Sequence, residues 1–216
     1  MKWTGGIVLN YLPNFLRDFI RRNMGLYLLI SLIFIAGIIF GSLAVNMLSP
    51  VQSDEVLSYI EGFFANVKNI DLDPANIFTI SIVNNLKNAL AIFILSLIVI
   101  GLPLVLLLIM FRGFILGFTV GFLINELGIK GVIFSILAIL PQNLIIIPTV
   151  ISLGVAGTAF ALSIIKNRFR HYPEDYPGLI FGFAMFSIAC SILLVTASLV
   201  EGYISPIFIK LVTPYL

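Results

Sequence analysis

The chain has 216 residues, of which 60% are hydrophobic and only 10% charged, and its mean hydropathy is +1.15. A soluble domain carries about 25% charged residues, so this composition excludes a water-solvated globule and requires lipid around most of the surface. The net charge of +2 implies no nucleic acid as partner, and the single cysteine, Cys190, excludes an intramolecular disulfide.

Residues 1–25 are polar and basic and read as a cytoplasmic N-terminal segment. The apolar run that follows, 26–48, is 23 residues long. That exceeds the roughly 7–15 residues of a signal-peptide core, so it reads as a span that stays in the bilayer. A hydrocarbon core of about 30 Å takes about 20 apolar residues as helix. Residues 89–111 and 179–200 meet that length without a charge. Between the first two runs, residues 49–87 form a loop with helical content. Ser53 can cap a helix whose first turn carries Asp54 and Glu55. Val56, Leu57, Ile60, Phe63, Phe64 and Val67 then share one face of it, able to lie on the bilayer, to cap the bundle or to bind another protein. Asp73-Pro74 is a second start signal for a helix running into the second span.

After Arg112, residues 113–125 give a short apolar span, closed by Glu126 and Lys130 at the i, i+4 spacing of a helical pair. Residues 131–165 then run without a charge for 35 residues, interrupted by Pro141-Gln142-Asn143. Proline removes a helix hydrogen bond and amides in lipid need partners, so a broken or re-entrant segment is expected near 131–145.

Orientation follows the placement of Lys and Arg. The N-terminal segment sets Lys2, Arg17, Arg21 and Arg22 against Asp18, a net +3, whereas residues 49–87 set two cations against five acids, a net −3. With Arg112 and Lys166–Arg168–Arg170 assigned to the inside, the economical solution is five crossings. The expected fold is an all-α, polytopic helical bundle of the cell membrane. Residues 26–216 form one transmembrane domain with an extracytoplasmic loop 49–87, the N-terminus lies in the cytoplasm and the C-terminus outside.

Familiar chemistry finds no footing. His171 is the sole histidine, which leaves no zinc-ligand set, no HExxH pair and no intramembrane Ser–His dyad, and no Walker-type loop is present. The reading is a non-enzyme with no cofactor and no metal. Glu126, Lys130 and Glu201, with Tyr203 beside the last, read as interfacial groups. Gly113, Gly117 and Gly121 form a small-xxx-small row, and Gly37/Gly41 and Gly178/Gly182 repeat it. Such rows let helices approach closely, within one chain or in a homo-oligomer.

Taken together, Gly37-Ile-Ile-Phe-Gly41 with Val45-Asn46, Arg112-Gly-Phe-Ile-Leu-Gly-Phe-Thr-Val-Gly-Phe-Leu-Ile-Asn125, Pro141-Gln142-Asn143, and Glu201-Gly-Tyr-Ile-Ser-Pro206 leading to Lys210-Leu-Val-Thr213 resemble the stage II sporulation protein M family of endospore-forming bacteria. The resemblance implies a membrane protein of the mother cell acting in forespore engulfment. In that role it would anchor a peptidoglycan-remodelling machine at the septum with stage II sporulation proteins D and P. The outward contacts would be the face of Phe63, Phe64 and Val67 and the end formed by Glu201, Tyr203 and Pro206. The alternative is a membrane component of a transporter or permease, for which a broken helix and membrane-depth amides speak.

Overall fold

The structure, a computed structural model, describes residues 14–69, 73–98, 101–170 and 176–212. The first thirteen residues and His171 lie outside the described residues, as do the side chains of Phe63, Phe64 and Val67. Among the described residues, five helices are long and apolar enough to cross a membrane, in an all-α bundle.

A short amphipathic helix, α1 (Asn14–Arg22), comes first, and its Phe19 ring packs on Phe186 at 5.0 Å and edge-on to Tyr27 at 6.5 Å. The first span, α2 (Met24–Val45), buries Ile30, Phe34, Gly37, Gly41 and Val45, one face at three- and four-residue spacing. The helix between spans, α3 (Pro50–Asn69), starts earlier than Ser53 predicts. Ser49 is its cap: Gln52 Oε1 accepts from the Ser49 backbone N–H at 3.0 Å, and the Gln52 N–H donates to Ser49 Oγ at 3.4 Å. This is the reciprocal Ser-x-x-Gln box, overlooked because Asp54 and Glu55 drew the start toward Ser53. On α3, Val56, Leu57 and Ile60 are half-buried, with Ile60 against the cluster of Leu123, Phe134 and Ala138 at one end of the bundle. Ser53 instead donates to Glu126 Oε1 at 3.4 Å, a second tie between α3 and that end.

The second span is α4 (Pro74–Leu97), capped by Asp73, whose carboxylate accepts from the Ala75 N–H at 3.0 Å. The 89–111 run is therefore not one span. The chain turns within it, with the Gly101 N–H donating to the Ile98 carbonyl at 2.7 Å, and α5 (Leu102–Leu127) begins with Pro103 in its first turn. A Cβ at position 101 would strike the Leu95 carbonyl, so glycine permits a turn that hydropathy does not register. Lys87, counted with the outer loop above, thus lies near the middle of α4.

The third span, α5, ends at Gly128, the described glycine with positive φ, 57°. This reversal puts Glu126 on α5 and Lys130 on the next helix, so the two do not share one helix as the spacing predicts. The fourth span contains no re-entrant break. Helix α6 (Ile129–Phe134), a π-helical turn (Ser135–Ile139) and α7 (Leu140–Arg170) run on without leaving helix. This span is the axis of the bundle: its central window is 61% buried, against 22–28% for the others. Pro141 directly follows the π turn, whose wider winding takes up the hydrogen bond that its missing N–H removes from the continuous helix. The fifth span repeats the device, with α8 (Tyr176–Leu199), a π turn (Val200–Ile204) and α9 (Ser205–Val212). It extends well past the expected limit at residue 200, to Lys210. Ile30, Ile109, Leu153, Val155 and Leu194 fill the shared core, and Cys190 lies buried among them.

Candidate functional site

The glycine rows decide which helices touch. A Cβ at Gly37 or Gly41 would strike the Met110 or Phe114 carbonyl, and one at Gly113 or Gly117 those of Phe34 or Ile38. At Gly121 the nearest atom is Ser42 Oγ at 3.1 Å. α2 and α5 are thereby held backbone to backbone along their length. A Cβ at Gly182 would meet open space, so the Gly178/Gly182 spacing is not a close approach of the same kind. Because α5 commits its small-residue face to α2, it touches α4 little. The two leave a cleft of about 750 Å³ between them, floored by the central span.

The cleft sets polar groups among largely apolar walls. Its α4 wall carries Ser81, Asn84, Asn85 and Asn88, and α4 has the lowest mean hydropathy of the five spans, 1.5 against 2.1–2.7. From the opposite wall the Arg112 Nη2 donates to Asn85 Oδ1 at 2.8 Å. The Asn85 Nδ2 donates to Ser198 Oγ at 3.0 Å and to Ser81 Oγ at 3.3 Å, and the Ser81 hydroxyl donates to Glu201 Oε2 at 2.6 Å. A relay thus joins guanidinium to carboxylate across α5, α4 and the last span. Arg112 was expected at the cytoplasmic boundary. It stands ten residues into α5, about 15 Å along the helix axis. An isolated cation at that depth is costly, and Glu201 offsets its charge. Glu201 is correspondingly turned inward, not placed at an interface.

Gln142 and Asn143 line the same cleft, and each amide donates one N–H to the π turn. Gln142 Nε2 donates to the Ala138 carbonyl at 3.0 Å and Asn143 Nδ2 to that of Ile139 at 2.8 Å. The Gln142 Oε1 accepts from the Ser205 hydroxyl at 2.9 Å, tying the two π turns together. Of the second outward face, Pro206 is buried and Glu201 is engaged by Ser81. Tyr203 remains 47% exposed, its ring 6.1 Å from Phe78.

Sequence reasoning missed Ser81, Asn85 and Ser198, and misplaced Arg112. The signal was present in the i, i+4 pairs Ser81/Asn85 and Asn84/Asn88, obscured by the assignment of residues up to 87 to a loop. Among the described residues no three His, Cys, Asp or Glu side chains converge on a metal position. The arrangement offers hydrogen-bond donors and a cation at membrane depth, suited to holding a polar group.

Residues 30–206, from the first span to the second π turn, match the family model for stage II sporulation protein M. The chain belongs to this family. The match settles the resemblance read from the sequence and takes in the glycine rows, the relay and both π turns of this stage II sporulation protein M family member. It is a sporulation-associated, multi-pass membrane protein. No curated protein and no solved structure matches the chain.

Proposed function

We propose that this protein is a non-enzymatic membrane scaffold that anchors and localises a peptidoglycan-remodelling complex at the septum during forespore engulfment. The partners in this reading are stage II sporulation proteins D and P, and the site of action is the mother-cell membrane. The observation that carries it is the family match over 30–206. It is supported by α3, an extramembrane helix fixed to the end of the bundle through Ile60 and the Ser53–Glu126 hydrogen bond. A helix fixed in that way is a platform. Its stretch with Phe63, Phe64 and Val67 is the proposed contact, and aromatic anchors dominate many interfaces.

The experiment compares hydrolase localisation in sporulating cells carrying the wild type, a deletion, or Phe63→Asp with Phe64→Asp, after equal membrane levels are established. The deletion is expected to disperse the hydrolases and stall engulfment, and the double variant to disperse them with its own abundance unchanged. Hydrolases that stay at the septum without the protein would end the scaffold reading.

The polar cleft favours a second reading, a transporter component. Against it, Gln142 and Asn143 each hold a backbone carbonyl of the π turn, so both amides already serve the helix itself. Solute flux through liposomes containing the purified protein, lost in Gln142→Leu with Asn143→Leu, would favour this second reading.

A further inference from the structure

The walls of the cleft are regular. On α5 the lining residues are Leu108, Phe111, Arg112, Ile115, Leu116 and Thr119, an i, i+3, i+4, i+7, i+8, i+11 series that is one face of a helix. α4 lines its side with the same series from Ile77 to Asn88. Each stripe spans twelve residues, a rise of about 16 Å or three turns. That length, on both walls of a trough of about 750 Å³, is the footprint over which one more helix of about 10 Å diameter would pack. The shape is that of a helix position left vacant in the bundle.

Its chemistry narrows the occupant. Arg112 makes its hydrogen bond through Nη2 alone, and its other N–H groups are not among the buried unpaired atoms, so they face the trough. Asn84 and Asn88 are exposed on the α4 wall of the trough, at a depth where polar groups without partners are costly and bind helices together when partnered. No carboxylate touches the Arg112 guanidinium directly: Glu201 reaches it only through Ser81 and Asn85.

We infer that the trough docks a single transmembrane helix of another protein, one carrying a carboxylate side chain near its middle. A second copy of this chain does not supply that group: its exposed charge at this depth is Lys87 itself, among the described residues. A phospholipid phosphate sits at the bilayer surface, about 15 Å from the middle of the core, out of reach of Arg112.

The test uses the full chain in lipid nanodiscs, with a donor dye at Tyr59→Cys, a side chain 74% exposed. The probes are a synthetic leucine–alanine transmembrane helix with one central glutamate and a twin with leucine there. The glutamate helix is expected to bind saturably and at least tenfold tighter than its twin, and Arg112→Gln to erase the difference. Thr119→Trp fills the trough without touching the relay. It is expected to weaken the glutamate helix at least tenfold while leaving thermal melting unchanged, which keeps the test sound if Arg112→Gln does not fold. Equal binding of the two probes, or binding indifferent to Thr119→Trp, would overturn the inference. So would native mass spectrometry showing that a bound phospholipid or a second copy fills the trough and resists the probe. None of these readouts involves a hydrolase, so failure here is distinguishable from failure of the scaffold proposal.

Discussion

At the scale of single residues, two kinds of position carry the membrane architecture. The first is glycine facing backbone. Gly117 faces the Ile38 carbonyl and Gly121 faces Ser42 Oγ at 3.1 Å, so the two differ in what must move. Gly117→Leu is expected to drive α2 and α5 apart and lower the membrane level of the protein several-fold by quantitative immunoblot. Gly121→Ala is expected to leave it near wild type, because a serine side chain can shift by a few tenths of an ångström. Equal levels for wild type and Gly117→Leu would show that α2 and α5 do not pack in this register. The second kind is the buried amide. Asn85 accepts from Arg112 and donates to Ser198 and Ser81, so Asn85→Leu leaves the Arg112 Nη2 without its acceptor and cuts the relay, while Ser81 and Ser198 keep their bonds to Glu201 and Leu194. Each buried polar group left without a partner costs about 1–3 kcal/mol. A clear fall in thermal-unfolding temperature in detergent is expected, and an unchanged one would mean that water in the cleft already serves the guanidinium. The glycine rows were legible in the sequence because spacing alone identifies them. The relay was not, because Arg112 at the end of an apolar run reads as a membrane boundary until its partner Asn85, 27 residues away in sequence, is brought beside it.

At the scale of elements, hydropathy located the apolar runs but not where the chain turns inside them. The turn after Leu97 falls within an unbroken apolar stretch, and its marks are local: Gly101, which tolerates the close Leu95 carbonyl, and Pro103, placed where a helix starts. Pro141-Gln142-Asn143 was legible as an irregularity, yet the outcome is a π turn inside a continuous span and not a re-entrant break, because two amide side chains bond the carbonyls of the preceding turn. π-helical turns occur often at functional sites, and here two of them are joined through Gln142 and Ser205. Replacing Gln142 and Asn143 with leucine removes that bond and both carbonyl contacts. The expected result is a protein that accumulates poorly or unfolds at lower temperature, by about 1–3 kcal/mol for the buried groups left unpaired. Normal accumulation together with loss of a solute flux would reassign the pair to a transport path.

At the scale of the whole molecule, orientation rests on parity and charge. Four spans separate the N-terminal segment from the end of α7, so Arg17, Arg21 and Arg22 share a side with Lys166, Arg168 and Arg170, as the positive-inside rule requires. Moving Lys87 into α4 strengthens the other half of the argument: the segment between α2 and α4 then sets Lys68 against Asp54, Glu55, Glu61, Asp71 and Asp73, a net −4. Arg112, once an anchor of the count, drops out of it without changing the parity, because the uncharged turn at Ile98–Gly101 takes over as the inner point. Single cysteines test this with little background, since Cys190 is buried in the core. Cysteines at Ser53 and Asn69 are expected to react with an impermeant maleimide in intact cells. Cysteines at Ile98 and Asn167 are expected to react only after the membrane is opened. Ile98 is the discriminating site: it is 53% exposed at the turn between α4 and α5, whereas a single span over 89–111 would sink it in hydrocarbon and leave it unreactive on both sides. Labelling of Asn167 in intact cells would overturn the five-span parity, and an Ile98 cysteine silent even after permeabilisation would overturn the turn.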